Sequence, residues 1–155
     1  MSISTKPEIV QFEKIHAYDI LSRNVRENEA WISGHGDFEE FVKAWAYGGP
    51  AYTLIIDGEI ILSGGVVRIG WNRGEAWALL SILFYKHIRT SFKAIMFKLE
   101  EIIFTEKFKR VQATVPPEFT EGIRFLEHLG FDWEGTMRSF GPRNEDMVMF
   151  SRICQ

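Results

Sequence analysis

Hydrophobic and polar positions along the chain follow two periods, and the places where one gives way to the other mark out its elements. Residues 9–15, with Ile9, Phe12 and Ile15 among Glu13 and Lys14, predict a first strand. Residues 17–25 predict a helix with Ile20 and Leu21 turned inward. A second helix opens at Asp37: Asp37 and Glu40 form a capping-box pattern, and Phe38, Phe41, Val42 and Trp45 make one apolar face. Gly48-Gly49-Pro50 stops it. Residues 51–56 and 59–69 are β-rich runs joined by Asp57-Gly58, a strong short hairpin signal. Gly64-Gly65 interrupts the second run and predicts a bulge or a close approach of backbone. Asn72-Arg73-Gly74 then turns the chain into a strand over 75–80, so 51–80 reads as an antiparallel three-stranded meander.

After the meander the period lengthens. Ile95, Leu99, Ile102 and Ile103 recur at helical spacing and predict a helix over 90–108. Residues 110–115 form a short strand closed by Pro116-Pro117. Phe119, Ile123, Leu126 and Leu129 stripe a further helix that ends at Gly130. Strands over 131–139 and 147–153 flank a polar loop. The order β-α-α-β-β-β-α-β-α-β-β combines a meander with one β-α-β crossover, which is an α+β, mixed-sheet architecture.

Composition narrows the class. With 155 residues, 46% hydrophobic and 25% charged, the chain is long enough to bury a core in a single domain, 1–155, without metal or disulfide staples. One cysteine, Cys154, excludes an internal disulfide framework and fits a reducing compartment. A net charge of −3 argues against a nucleic-acid binder that works by bulk electrostatics. The first residues lack an apolar run after Lys6, so no signal peptide is expected. The apolar stretches 76–80 and 81–85 are far short of a membrane span. His16, His35, His87 and His128 show no ligand spacing, so no metal site is expected.

The element order, with the phrase Phe125-Leu126-Glu127-His128-Leu129-Gly130-Phe131 at the end of the last helix, resembles the GNAT N-acetyltransferase superfamily over nearly the whole chain. The runs 49–54, 74–81 and 110–115 look more narrowly like a branch carried by tailed phages and prophages, which includes internal virion protein A-like proteins. The resemblance implies a mostly antiparallel central sheet with helices on both faces. It also implies an acetyl-CoA co-substrate and a small-molecule or protein amine acceptor. A cytoplasmic setting in a host cell, or a place in the virion among virion proteins, follows from it too, as does a homodimer through the final strands. Neither nucleic acid nor membrane is an expected partner.

Acetyl transfer to an amine needs a base, a hydrogen-bond donor for the thioester oxygen, and backbone amides for the cofactor pyrophosphate. By resemblance, Glu75 at the start of the fourth strand stands where family members carry the base; the alternative is an exposed strand-end charge. The backbone of Leu79, Leu80 and Ser81 would hold the pantetheine and polarise the thioester, although these are also natural core positions. The family's glycine-bearing phosphate loop corresponds to Lys86, Arg89 and Ser91, and no glycine occurs between Gly74 and Gly122. Lys86, His87, Arg89 and Lys93 keep the region basic, and Thr90 or Ser91 could cap the helix. This is either a cofactor loop without its tight cradle or a solvated helix start. The family's acid tyrosine corresponds to Leu126 and its asparagine to Phe119, which leaves Tyr85 or Ser81 as substitutes. His35, Trp31 and Trp71 fall in loop-like segments where an acceptor wall or a protein interface could form, or where they serve no role. Two readings follow: a GNAT-like N-acetyltransferase, or a phage-derived protein that keeps the fold without turnover.

Overall fold

The computed structural model describes residues 6–23 and 38–155. Its elements are β1 (Pro7–Gln11), α1 (Lys14–Ser22), α2 (Phe38–Tyr47), β2 (Ala51–Ile56), β3 (Glu59–Gly70), β4 (Arg73–Leu80), α3 (Ile88–Glu106), β5 (Arg110–Val115), α4 (Thr120–His128), β6 (Asp132–Met137) and β7 (Met147–Ile153). A 3-10 turn, Tyr85–His87, leads into α3. The strands form a seven-stranded sheet in the order β1-β2-β3-β4-β5-β7-β6. Every neighbouring pair is antiparallel except β4 and β5, which α3 links by the crossover. This is the mixed α+β architecture that the order of elements predicts.

Helices cover both faces. On one, Leu99 and Ile102 of α3 and Leu126 of α4 pack with Val66, Val111, Ala113, Val148 and Phe150. On the other, Ile20 of α1 and Val42 and Trp45 of α2 pack with Phe12, Ala51 and Leu79. Trp45 stacks on Trp77 of β4 with ring centroids 4.5 Å apart and planes 12° from parallel. That contact fixes α2 against the strand that carries Glu75. No helix among the described residues is long and apolar enough to cross a membrane.

The structure departs from the sequence reading in four stretches of chain and at one bulge. The first strand ends at Gln11 and α1 begins at Lys14, because the N-terminus of the helix is held by tertiary contact. The Glu13 N–H donates to His16 Nδ1 at 3.1 Å, and that nitrogen lies 2.8 Å from the buried Thr53 hydroxyl, which in turn bonds Ser63. The third helix starts two residues early and stops at Glu106, where Lys107 takes a left-handed φ of 59°. The sixth strand is shorter than 131–139: Phe131 is core, and Ser139 turns the chain at φ 54°. The turn between β3 and β4 centres on Trp71 and Asn72, one residue earlier than expected. Gly64 and Gly65 stay in register with Tyr52 and Ala51, and they serve close backbone approach rather than a bulge. The bulge between β2 and β3 falls at Ile61 instead, where the register slips between Leu54 and Ile55. Asp57 and Gly58, at φ 54° and 76°, form the tight hairpin turn. The Asp37 capping box, Trp31 and His35 lie outside the described residues.

Candidate active site

The central feature is a split between two parallel strands. β4 and β5 pair only over Arg73↔Arg110, Gly74↔Val111 and Glu75↔Gln112, and beyond Glu75 they diverge. The free edge of β4 therefore carries backbone groups with no ladder partner on β5. Which residues supply them follows from strand alternation. The Ser81 N–H donates to Ile61 O on β3 at 3.0 Å, so the odd-numbered residues of β4 aim their backbone at β3. Ala76, Ala78 and Leu80 consequently aim theirs at the split. Of the expected backbone trio, Leu80 faces the split, while Leu79 and Ser81 face β3. Ala78, absent from the sequence reading, is the residue whose N–H and C=O point into the gap beyond the last β5 pairing.

Side chains alternate in the other sense. Trp77 and Leu79 join the core under α1 and α2, and Ala76 joins the core under α3. Glu75, two residues before Trp77, thus projects on the α1/α2 face. It is half-buried and makes no hydrogen bond or ion pair among the described residues. Burial raises its carboxyl pKa above the usual glutamate value, with no neighbouring cation to pull it back. An unpartnered, desolvated carboxylate is a better base near neutrality than a surface glutamate.

The same face carries a polar row beyond Glu75. Gln112 sits opposite Glu75 in register, and Ser151 sits opposite Gln112 on β7. Arg110 holds Glu134 of β6 through two bonds of 2.7 and 2.8 Å, and Ser151 donates to the same carboxylate. These bonds hold the Glu134 carboxyl down at about 2. The described parts of α1 and α2 pack over β2 to β4, so this row forms a polar shelf beside Glu75 rather than core.

At the mouth of the split the chain leaves β4 through tight turns. Leu83 N–H donates to Ser81 Oγ at 3.2 Å, Phe84 N–H to Ser81 O at 3.1 Å, and His87 N–H to Phe84 O at 3.0 Å. Ser91, in the first turn of α3, is fully buried with its hydroxyl unpartnered. Lys86 and Arg89 are exposed, and His87 and Thr90 are half-buried. The Tyr85 hydroxyl donates to Glu121 of α4, which ties the segment after β4 to the helix after β5. Leu126 is buried and offers no proton. Trp71 is 93% exposed at the far end of β3.

Acetyl-CoA meets this geometry unequally. A pantetheine arm fits the free edge at Ala78, whose backbone groups would hydrogen-bond it as a strand does. The pyrophosphate does not fit as well. A phosphate cradle needs successive free amides on a backbone without intervening side chains, and those of Leu83, Phe84 and His87 are already spent within the turns.

No protein-family model matches the chain, and no curated protein matches it. Solved structures match its fold across almost its whole length. A GNAT-family acetyltransferase from Bacillus anthracis is 19% identical, covering 99% of this chain and 98% of its own with a TM-score of 0.68. Ribosomal-protein-S5-alanine acetyltransferase from Vibrio fischeri is 16% identical, covering 99% and 95% with a TM-score of 0.67. Spermidine N-acetyltransferase from Vibrio cholerae, solved as a point mutant, is 12% identical, covering 94% of each chain with a TM-score of 0.67. At such identities the likeness defines the fold: this chain has the GNAT acetyltransferase fold.

Proposed function

We propose that the protein transfers an acetyl group from a thioester donor, acetyl-CoA being the donor the fold implies, to an amine. The observation that supports this most is the coincidence of three features at one place. A parallel pair splits after Glu75, an unpartnered backbone amide at Ala78 faces the gap, and a desolvated carboxylate stands at its edge. Glu75 takes the proton that the acceptor nitrogen gives up as the C–N bond forms and the C–S bond breaks. The Ala78 N–H donates to the carbonyl oxygen while charge develops there. A thiol has a pKa near 8.5, far below an alcohol, and leaves readily as thiolate, so it takes its proton from water or from Tyr85. Lys86, His87, Arg89 and Thr90 supply positive charge and polar contacts at the mouth.

The acceptor docks on the shelf of Gln112, Arg110, Glu134 and Ser151. Neighbours of the same fold act on spermidine and on the alanine of ribosomal protein S5, which makes a polyamine and an alanine-starting peptide sensible first acceptors. The second reading is a phage or prophage protein, working with virion or host partners, that keeps the fold without turnover. Leu126 in the place of an acid and the occupied amides of Leu83, Phe84 and His87 favour it. Thiol release from acetyl-CoA and from acetyl-pantetheine, with both acceptors, separates the two readings. Release that Glu75→Gln lowers by about 10²–10⁴-fold supports transfer. Release from neither donor removes it.

A further inference from the structure

The segment leaving β4 carries a feature that acetyl transfer by itself uses only in part. Ile82, Tyr85 and Ile88 are 50, 44 and 45% exposed, an unusual concentration of large apolar side chains on one short stretch of surface. Exposed among them are Lys86, Arg89 and Lys93. Arg89 and Lys93 lie one helical turn apart on α3 and share a face. Arg23, Arg68, Lys98, Arg110 and Arg152 each pair with a carboxylate. Lys86, Arg89 and Lys93 make no ion pair among the described residues. The chain is acidic overall, at −3, yet this segment sets three exposed cations without an ion pair beside exposed apolar side chains.

The patch lies at the mouth of the β4–β5 split, because it begins at the residue after Ser81. Its chemistry matches a macromolecule better than a nucleotide. A nucleotide diphosphate would need a run of free amides on bare backbone, and those of Leu83, Phe84 and His87 are spent within the turns while no glycine occurs between Gly74 and Gly122. Exposed apolar side chains beside unpaired charge are instead what a complementary protein surface requires, with charge setting encounter and orientation. Resting on the thioester-to-amine reading above, we infer that the acyl donor arrives on an acidic carrier protein. The carrier docks its acidic, apolar surface on Ile82, Ile88, Lys86, Arg89 and Lys93. Its phosphopantetheine-type arm threads into the split along Ala78. The acyl–sulfur bond of the arm breaks, the acyl–nitrogen bond forms, the amine's proton ends on sulfur, and the carrier leaves as the free thiol.

The test compares three donors of one acetyl group: acetyl-CoA, acetyl-pantetheine, and a purified acidic acyl carrier protein bearing an acetylated phosphopantetheine arm. Spermidine and an alanine-starting peptide serve as acceptors. The carrier is expected to give kcat/KM at least about tenfold above acetyl-CoA, falling as salt rises. Ile82→Glu and Lys93→Glu, both at exposed positions, are expected to lower the carrier-to-pantetheine rate ratio by about tenfold each. Acetyl-CoA working as well as the carrier, or a carrier rate indifferent to salt and to both variants, overturns the carrier and leaves the thioester-to-amine reading standing. Transfer from no donor overturns that reading. Calorimetric titration with the loaded carrier then decides the docking alone: salt-sensitive binding lost in Lys93→Glu supports it, and no binding overturns it.

Discussion

Gly65→Ala tests whether the sheet that carries the site depends on backbone contact at its centre. A Cβ at Gly65 would stand 2.4 Å from the Pro50 carbonyl oxygen and 2.7 and 2.8 Å from Ala51 Cα and Cβ, at the start of the neighbouring strand. Ordinary contact begins near 3.4 Å, so β2 must retreat by roughly 1 Å. That retreat also stretches the Val66 N–H bond to Pro50 O, now 3.0 Å, out of hydrogen-bonding range. Overpacking of this kind costs about 1–3 kcal/mol and the lost bond about 1 more, giving an expected loss of about 2–4 kcal/mol. For a chain of this size that lowers Tm by roughly 4–16 °C. Gly135→Ala is the control, since nothing lies within 4 Å of its added Cβ and its φ is not positive; it is expected to stay within about 1 kcal/mol of the parent. Urea unfolding at matched m-values measures both. Equal stability of the two variants would refute the close-approach argument.

Three further perturbations test other parts of the frame. Trp45→Ala removes the stack on Trp77 and the anchor of α2, so unfolding free energy should fall by about 3–5 kcal/mol in urea titration; a loss below about 1 kcal/mol would mean α2 is held elsewhere. His16→Ala leaves the Glu13 N–H at the start of α1 without its acceptor and should cost about 1–3 kcal/mol, read from the same midpoint. Glu134, held near 2 by Arg110 and Ser151, stabilises the fold above its unfolded pKa and loses that contribution as pH falls through about 2. Glu134→Gln should therefore be less stable than the parent near neutrality, with the gap closing between about pH 4.5 and 2 in parallel urea titrations. A gap independent of pH would disconnect the ion pair from stability.

Much of this fold is legible in the sequence where local chemistry and tertiary packing agree. Residues 110–115 and 147–153 carry alternating patterns bounded by turns or prolines, and both strands fall where expected. Asp57-Gly58 dictates its hairpin through backbone preference alone. The boundary between β1 and α1 is not legible, because the helix start depends on His16 meeting Thr53, thirty-seven positions away. The bulge at Ile61 is silent for a related reason: one more apolar residue in an apolar run changes register without changing pattern. At the site, Glu75 is visible as the one carboxylate opening an apolar strand. Ala78 is not, since a backbone role leaves no mark on residue type; counting alternate positions from Ser81 would have found it only once the pairing with Ile61 was fixed. The exposed Ile82 and Ile88 are also invisible in the sequence, where they read as continuations of the core.

The most direct test of the proposed chemistry is the pH dependence of kcat/KM for acetyl transfer in the parent protein and in Glu75→Gln. Burial raises the Glu75 pKa, so the acid limb of the parent profile should lie above the usual glutamate range. The same displacement makes the ionised carboxylate a burden on the fold. Glu75→Gln should thus be more stable than the parent near neutrality, with the advantage fading as pH falls below the ordinary glutamate value. The account predicts a variant that is folded, at least as stable, slower by about 10²–10⁴-fold and without that acid limb. A variant that keeps both the parent rate and the parent profile would contradict the assignment of Glu75 as the base.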